Sequence, residues 1–336
     1  MPLRILLIAV LWQGVQSMMA CAEPFVPGTG VVVPICGDDF EEPRWQYIKN
    51  GSKASYEQDE QQRPPGGKSA NGRWYEGAKR GQPDVIRRLP TPPGGLAGST
   101  GSMFVATRFS GIPGASSGKQ QQDDLLMGVE SRLGRSIPAS WSPSVVVRVY
   151  LPEFNRWEQR SGASFGVRAD IVGRTPDGDT EPYWPGMFIM FRSARSGKYD
   201  HDYAQLTIRA QSNGRDVPGP VIEEPGWWTF GLSFTPDGAV HQYASPGVDD
   251  LTEEDHLYSS FPYGNRMAGF SNFFINVANR DDGRTWSTPW VIDDPTLYVI
   301  PPHGQSLENL VRGRSSFAGR VSPQGRTARD QGRSMR

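Results

Sequence analysis

The chain has 336 residues, enough for one large all-β domain or two ordinary ones. Its formal charge is −1, so no overall field points to nucleic acid as a partner. Gly (39) and Pro (29) make about a fifth of the chain, which suits many tight turns and lies below the level that signals disorder throughout.

The N-terminus reads as a secretory signal peptide over residues 1–22. Arg4 supplies a positive start, residues 5–12 an apolar stretch, and Ala20-Cys21-Ala22 a small-residue cleavage site before Glu23. The apolar stretch is too short to span a bilayer, which needs about 20 residues. An alternative reads Met18-Met19-Ala20-Cys21 as a lipobox with Cys21 lipidated, although its two methionines fit that motif poorly. No later segment is long and apolar enough to be transmembrane, so the expected place is secreted, periplasmic or at the cell surface. After cleavage Cys36 stands alone, which forbids an intramolecular disulfide.

Residues 23–36 read as an extended lead-in. From 37 to 302 the pattern is strand, turn, strand. The runs 101–109, 144–151, 164–172, 186–192, 204–210, 227–234, 273–278 and 296–300 are rich in β-branched and aromatic residues and bounded by turn formers. Thr175-Pro176-Asp177-Gly178 and Thr235-Pro236-Asp237-Gly238 repeat one hairpin turn, and Arg280-Asp281-Asp282-Gly283 is expected to be a third. Pro presets φ, Asp caps the turn and Gly takes the positive φ. Antiparallel hairpins at this spacing predict an all-β sandwich of two sheets. Residues 111–124 read as a polar, mobile loop. Residues 303–336 carry Arg312, Arg314, Arg320, Arg326, Arg329, Arg333 and Arg336 and read as a disordered basic tail, either solvated or attached to an anionic surface polymer.

The edges of this region carry a resemblance. It opens on Gly37-Asp38-Asp39-Phe40-Glu41 with Trp45, and closes on Trp290-Val291-Ile292-Asp293-Asp294-Pro295 before Leu297-Tyr298. This resembles the concanavalin A-like lectin/glucanase jelly rolls over roughly residues 37–300. The resemblance implies terminal strands that lie side by side and a concave sheet that holds a glycan. It would also let Asp38, Asp39, Asp293 and Asp294 converge on a structural Ca²⁺, which prefers oxygen ligands. The alternative is that each Asp pair only ends a strand and caps a turn. No cofactor is required by this reading.

Catalytic signatures are sparse. The E-x-D-x-x-E strand of the glucanases is not matched: Glu57-Gln58-Asp59 is followed by Gln62 where the last Glu should stand. There is no G-x-S-x-G, H-E-x-x-H or Gly-rich phosphate loop. A polysaccharide lyase needs a base or acid of the His or Tyr type and a group that neutralises the uronate carboxylate. Tyr199, His201 and Tyr203 ahead of Arg209 offer those residue types, and His201, Tyr203 and Arg209 are the set that such an enzyme would use.

The 227–243 hairpin gives the binding candidates. Alternation turns Trp228, Phe230, Leu232 and Phe234 to the core and Trp227, Thr229, Gly231 and Ser233 to the other face. A three-residue loop with Gly238 in a bulge sets Ser233 opposite His241 and Gly231 opposite Tyr243. Trp227, His241 and Tyr243 are then expected on an open face. The same logic turns out Arg148, Tyr150, Arg168, Arg192 and Arg209. Aromatic rings suit the CH face of a sugar, and Arg suits carboxylate or sulfate. The expected function is therefore an exported, non-catalytic protein that binds an extracellular polysaccharide or associates with the cell surface, an anionic polysaccharide being the narrower alternative. One alternative is a lyase or hydrolase of the same fold. The other is a structural surface protein with Trp227 packed under a loop.

Overall fold

The computed structural model describes residues 21–54, 56–57, 63–112 and 114–311. The expected signal peptide, up to residue 20, and the arginines from Arg312 onward lie outside the described residues. The longer strands are β1 (Trp74–Glu76), β2 (Val85–Leu89), β3 (Ser102–Ala106), β4 (Gln121–Gly128), β5 (Ser144–Leu151), β6 (Gly162–Arg174) and β7 (Gly186–Arg192). They continue with β8 (Tyr203–Arg209), β9 (Asp216–Ile222), β10 (Gly226–Phe234), β11 (Val240–Pro246), β12 (His256–Ser260), β13 (Arg266–Asn279) and β14 (Trp290–Val299).

These strands form an antiparallel jelly-roll β-sandwich. The first sheet runs β12-β11-β10-β5-β14-β3-β2, and the second runs β9-β8-β7-β6-β13-β4-β1. Alternation explains which side each residue takes. Val145, Val147 and Val149 of β5, Phe165, Val167 and Ala169 of β6, and Phe273, Ile275 and Val277 of β13 all enter one buried core between the sheets. Trp290 closes one end of it, with its ring 4.8 Å from those of Trp157 and Phe165. The chain ends do lie side by side: Val31 and Val32 pair with Val299 and Tyr298, and Asp38 N–H donates to the Pro295 carbonyl at 3.1 Å.

Both Thr-Pro-Asp-Gly turns form as expected. Gly178 N–H donates to the Thr175 carbonyl at 3.0 Å and Gly238 N–H to that of Thr235 at 2.8 Å, with glycine φ values of 91° and 84°. Gly283 also takes a positive φ, but residues 280–283 do not close a hairpin. They join β13 to β14, which belong to different sheets.

Two further readings change. Residues 121–124 are not loop but the start of β4, which pairs with β13 in the second sheet. The hydrophobic pattern misses them because Asp123 is fully buried, where Lys53 Nζ meets it at 2.7 Å and also reaches Asp84 at 3.0 Å. A paired charge tolerates a dry place that a lone one does not. Beyond residue 303 the chain continues into a short helix (Leu307–Val311) whose Leu310 is buried in the core. No described helix is long and apolar enough to cross a membrane.

Candidate functional site

The outer face of the second sheet carries a cleft of two adjoining hollows, of about 280 and 290 Å³, that share Lys79, Asp124, Trp184 and Phe274. Register builds its floor. Arg168 of β6 stands opposite Phe274 of β13 on one side and Gly186 of β7 on the other, and Gly186 in turn faces Arg209 of β8. Two arginines thus flank a glycine across three strands, with Cα atoms about 10 Å apart at the usual strand spacing. Gly186 keeps that row open, since a Cβ there would meet the Arg168 Cγ at 2.8 Å. Asn276 of β13 stands opposite Gly166 on one side and Asp124 of β4 on the other.

Arg168 is the central group. It is 7% exposed, and its guanidinium lies 5.1 Å from the Phe188 ring and 5.2 Å from that of Phe274. One Nη donates to the Trp184 carbonyl at 2.6 Å, while Nε has no partner among the described residues. Burial pulls its pKa down to about 10, against the opposing charge of Asp124. Arg209 Nε donates to Asp216 and its Nη1 to the Tyr263 hydroxyl. Tyr263 sits in the left-handed region at φ 62°, a strained place for a bulky side chain. Gly214 makes room for its ring, because a Cβ there would come within 2.4 Å of it. Lys79 Nζ lies 3.9 Å from the Trp184 ring centre.

Asp124 is the buried carboxyl of the cleft. Burial raises its pKa to about 6, while Arg80 and Arg168 and the amides of Asn276 and Gln122 pull it back. Both amides donate to its Oδ1, that of Gln122 at 3.2 Å. Such a carboxyl can exchange a proton near neutral pH. The cleft therefore combines guanidinium donors and aromatic surfaces with two carboxyls, Asp124 and Asp170, whose pKa values burial raises.

Of the expected binding residues, Arg168 and Arg209 meet in this cleft. Arg192 shares their sheet face but stands opposite Tyr203, at the far end of β7, where it donates to Gln205 at 3.3 Å. The lyase set does not assemble. Tyr203 and Arg209 are the two ends of β8, about 20 Å apart at the usual rise per residue. His201 is exposed near the Tyr203 end and is held between Glu223 (3.1 Å) and Asp200 (3.0 Å). Those hydrogen bonds, Glu223 first, raise its pKa.

Trp227, His241, Tyr243, Arg148 and Tyr150 lie on the other sheet. Their register is the expected one, with Ser233 opposite His241 and Gly231 opposite Tyr243. Their face is not open, and this corrects the expected shared groove. Trp227 is only 7% exposed and donates from Nε1 to the Pro93 carbonyl at 3.2 Å. The lead-in crosses the same face, where Ser233 Oγ donates to the Phe25 carbonyl at 2.7 Å. Leu251 packs on Tyr243 and Val146 with Val26 alongside. Arg148 reaches Asp250 (2.8 Å), Asp294 (3.1 Å) and the Val248 carbonyl (3.2 Å). His241 is buried between Thr235 and Ser259, and burial lowers its pKa to about 4. The physical reason is the apolar floor itself: Trp227, Tyr243 and Val146 gain by being covered.

The four aspartates do not form a common ligand set. Asp38 accepts from Trp45 Nε1 at 2.9 Å and Asn71 Nδ2 at 3.0 Å, and Asp39 from the Glu41 backbone at 3.1 Å. Asp293 accepts from Ser99 at 2.8 Å, and Asp294 from Arg148. Among the described residues no group of three or more His, Cys, Asp or Glu side chains is arranged to hold a metal ion.

Sequence reasoning did not single out Asp124, Asn276, Phe188, Phe274 or Tyr263. Alternation already separates Phe274 and Asn276 of β13 and Phe188 of β7 from the core residues beside them, so three of the five carried a readable signal. Tyr263 and Lys79 come from connections whose position no local pattern encodes.

No family model and no curated protein matches the chain. Among solved structures, a carbohydrate esterase from the Shiga toxin-encoding bacteriophage phi24B is similar at 10% identity, covering 68% of this chain and 91% of that one, with a TM-score of 0.40. An alginate lyase from Pseudomonas aeruginosa is similar at 11% identity, covering 65% and 87%, with a TM-score of 0.37. A family 7 alginate lyase, A1-II′, is similar at 13% identity, covering 64% and 84%, with a TM-score of 0.34.

Proposed function

We propose that this protein is exported and binds an acidic polysaccharide in the cleft on the second sheet. The observation that carries the reading is Arg168, a buried guanidinium set between two phenylalanine rings with a donor left unpartnered. Burying a charge costs several kcal/mol unless a counter-charge meets it. A carboxylate or sulfate arriving beside Arg168 adds to the counter-charge that Asp124 supplies there, Arg209 being already paired with Asp216, and Phe188, Trp184 and Phe274 offer apolar surface to the sugar ring. Export rests on the composition of residues 1–22.

The test is a binding panel of acidic and neutral polysaccharides by titration calorimetry, with Arg168→Gln beside the native chain. Saturable binding of a uronate polymer, weakened about tenfold or more in the variant, is the expected result. Retention of no polymer, or equal binding of neutral ones, overturns it.

A second reading, uronate elimination, is favoured by Asp124. A carboxyl tuned to about 6 beside a carboxylate-neutralising arginine could take the proton next to the uronate carboxylate. The resulting electron pair would form a carbon–carbon double bond as the glycosidic oxygen leaves with a proton. The Tyr263 hydroxyl, held by Arg209, is the candidate donor of that proton. New ultraviolet absorbance on incubation with a uronate polymer, lost in Asp124→Asn, would replace the non-catalytic reading with this one.

A further inference from the structure

A larger cavity, of about 690 Å³, lies on the other sheet and shares no lining residue with the cleft. Its floor is the outer side of β2 and β3, where Val85, Phe104 and Ala106 alternate with the core residues Ile86, Met103 and Val105. Trp286 and Pro289 come from the β13–β14 connection, and Trp286 is 45% exposed, unusual for so large an apolar side chain. Three arginines from three separate segments line the same space: Arg87, Arg156 and Arg195. Arg87 lies over the Phe104 ring at 5.1 Å. None of the three forms an ion pair among the described residues. The one carboxylate in the lining, Glu158, is already answered by Arg160 Nη2 at 3.2 Å and by the Arg280 backbone N–H at 2.8 Å.

We propose that this cavity binds an organic anion with an extended apolar body, of the long-chain carboxylate class. Its volume falls within the range that holds small ligands, roughly 300–1,000 Å³. Its apolar floor and exposed tryptophan favour hydrocarbon over water. A carboxylate head meets guanidinium groups through paired N–H donors, and the cavity carries three such groups with no internal counter-charge besides the satisfied Glu158. A simple sugar acid would satisfy the arginines and leave the apolar wall wet. A cationic amphiphile would cover the wall and be repelled. The inference stands independently of polysaccharide binding in the cleft.

The test is titration calorimetry of the full chain with decanoate, decyltrimethylammonium and glucuronate, all below micelle-forming concentrations. Decanoate should bind saturably, the cation at least about tenfold more weakly, and glucuronate without measurable heat. Arg156→Gln with Arg195→Gln should weaken decanoate binding about tenfold or more. Trp286→Ala should also weaken it, and Arg168→Gln in the cleft should leave it unchanged. Arg156, Arg195 and Trp286 are exposed side chains whereas Arg168 is buried, and circular dichroism checks that each variant remains folded. No saturable decanoate binding, equal binding of the cation or of glucuronate, or full affinity in the double arginine variant would each overturn the proposal.

Discussion

Trp227 and Arg168 show how far the fate of a single side chain follows from its strand. Both point away from the core by alternation, and both end up 7% exposed. Trp227 is covered by the chain itself, through the 91–95 connection and the Pro93 carbonyl. Arg168 is enclosed by neighbouring rings but still lines a hollow. Their substitution should therefore separate. Trp227→Ala should cost about 3 kcal/mol in urea unfolding, as large aromatic truncations in packed sites do, and leave polysaccharide binding in the cleft unchanged. Loss of that binding with an unchanged midpoint would show that the first sheet, not the second, holds the ligand.

The two Thr-Pro-Asp-Gly hairpins share a sequence and not a surrounding. At Gly178 a Cβ would meet nothing within 4 Å, so Gly178→Ala should cost only the left-handed penalty of about 1 kcal/mol. At Gly238 the same Cβ would lie 2.7 Å from the Met267 backbone nitrogen, which cannot swing aside like a side chain. Gly238→Ala should cost about 2 kcal/mol or more, read as a larger fall in urea midpoint than for Gly178→Ala. Equal midpoints would mean that the β10–β11 hairpin does not press on β13 as described. Strand β4 makes the complementary point. Its first residues look like loop because Asp123 and Asp124 belong to no hydrophobic pattern, yet the first is tied to Lys53 and the second forms the cleft.

The molecule as a whole carries buried carboxyls whose protonation bears on its stability. Asp293, fully buried on β14, is the clearest: burial raises its pKa from the ordinary 3.8 to about 7, with Asp294 and Glu41 adding repulsion and Ser99 partly offsetting it. A carboxyl raised in the folded state binds its proton more tightly there than in the unfolded chain. Its contribution is therefore complete below pH 3.8 and is lost as pH rises through about 7. Asp293→Asn keeps an acceptor for Ser99 and removes the titration. The variant should gain at most about 4 kcal/mol on the native chain between pH 4 and pH 8, measured by urea unfolding at both. His241, lowered to about 4, pulls the native profile the other way between that value and its ordinary 6.5, so the difference between the two proteins is the quantity to compare. A difference independent of pH would place the Asp293 carboxyl in contact with water.

Alternation of β-branched and aromatic residues, with Gly and Pro at the turns, was enough to read the all-β sandwich, most strand positions and the register of the β10–β11 hairpin. These are local properties, since the period of two and the preferences of a turn do not depend on distant chain. The open face was not local. Whether Trp227 or Arg168 meets water depends on where the lead-in and the 91–95 and 247–252 connections come to rest, and on which sheet each strand joins. The cleft likewise gathers Asp124, Arg168, Phe188, Arg209, Tyr263 and Asn276 from segments that only strand pairing brings together. Pairing depends on contacts between distant segments, and a single strand carries no record of its neighbour.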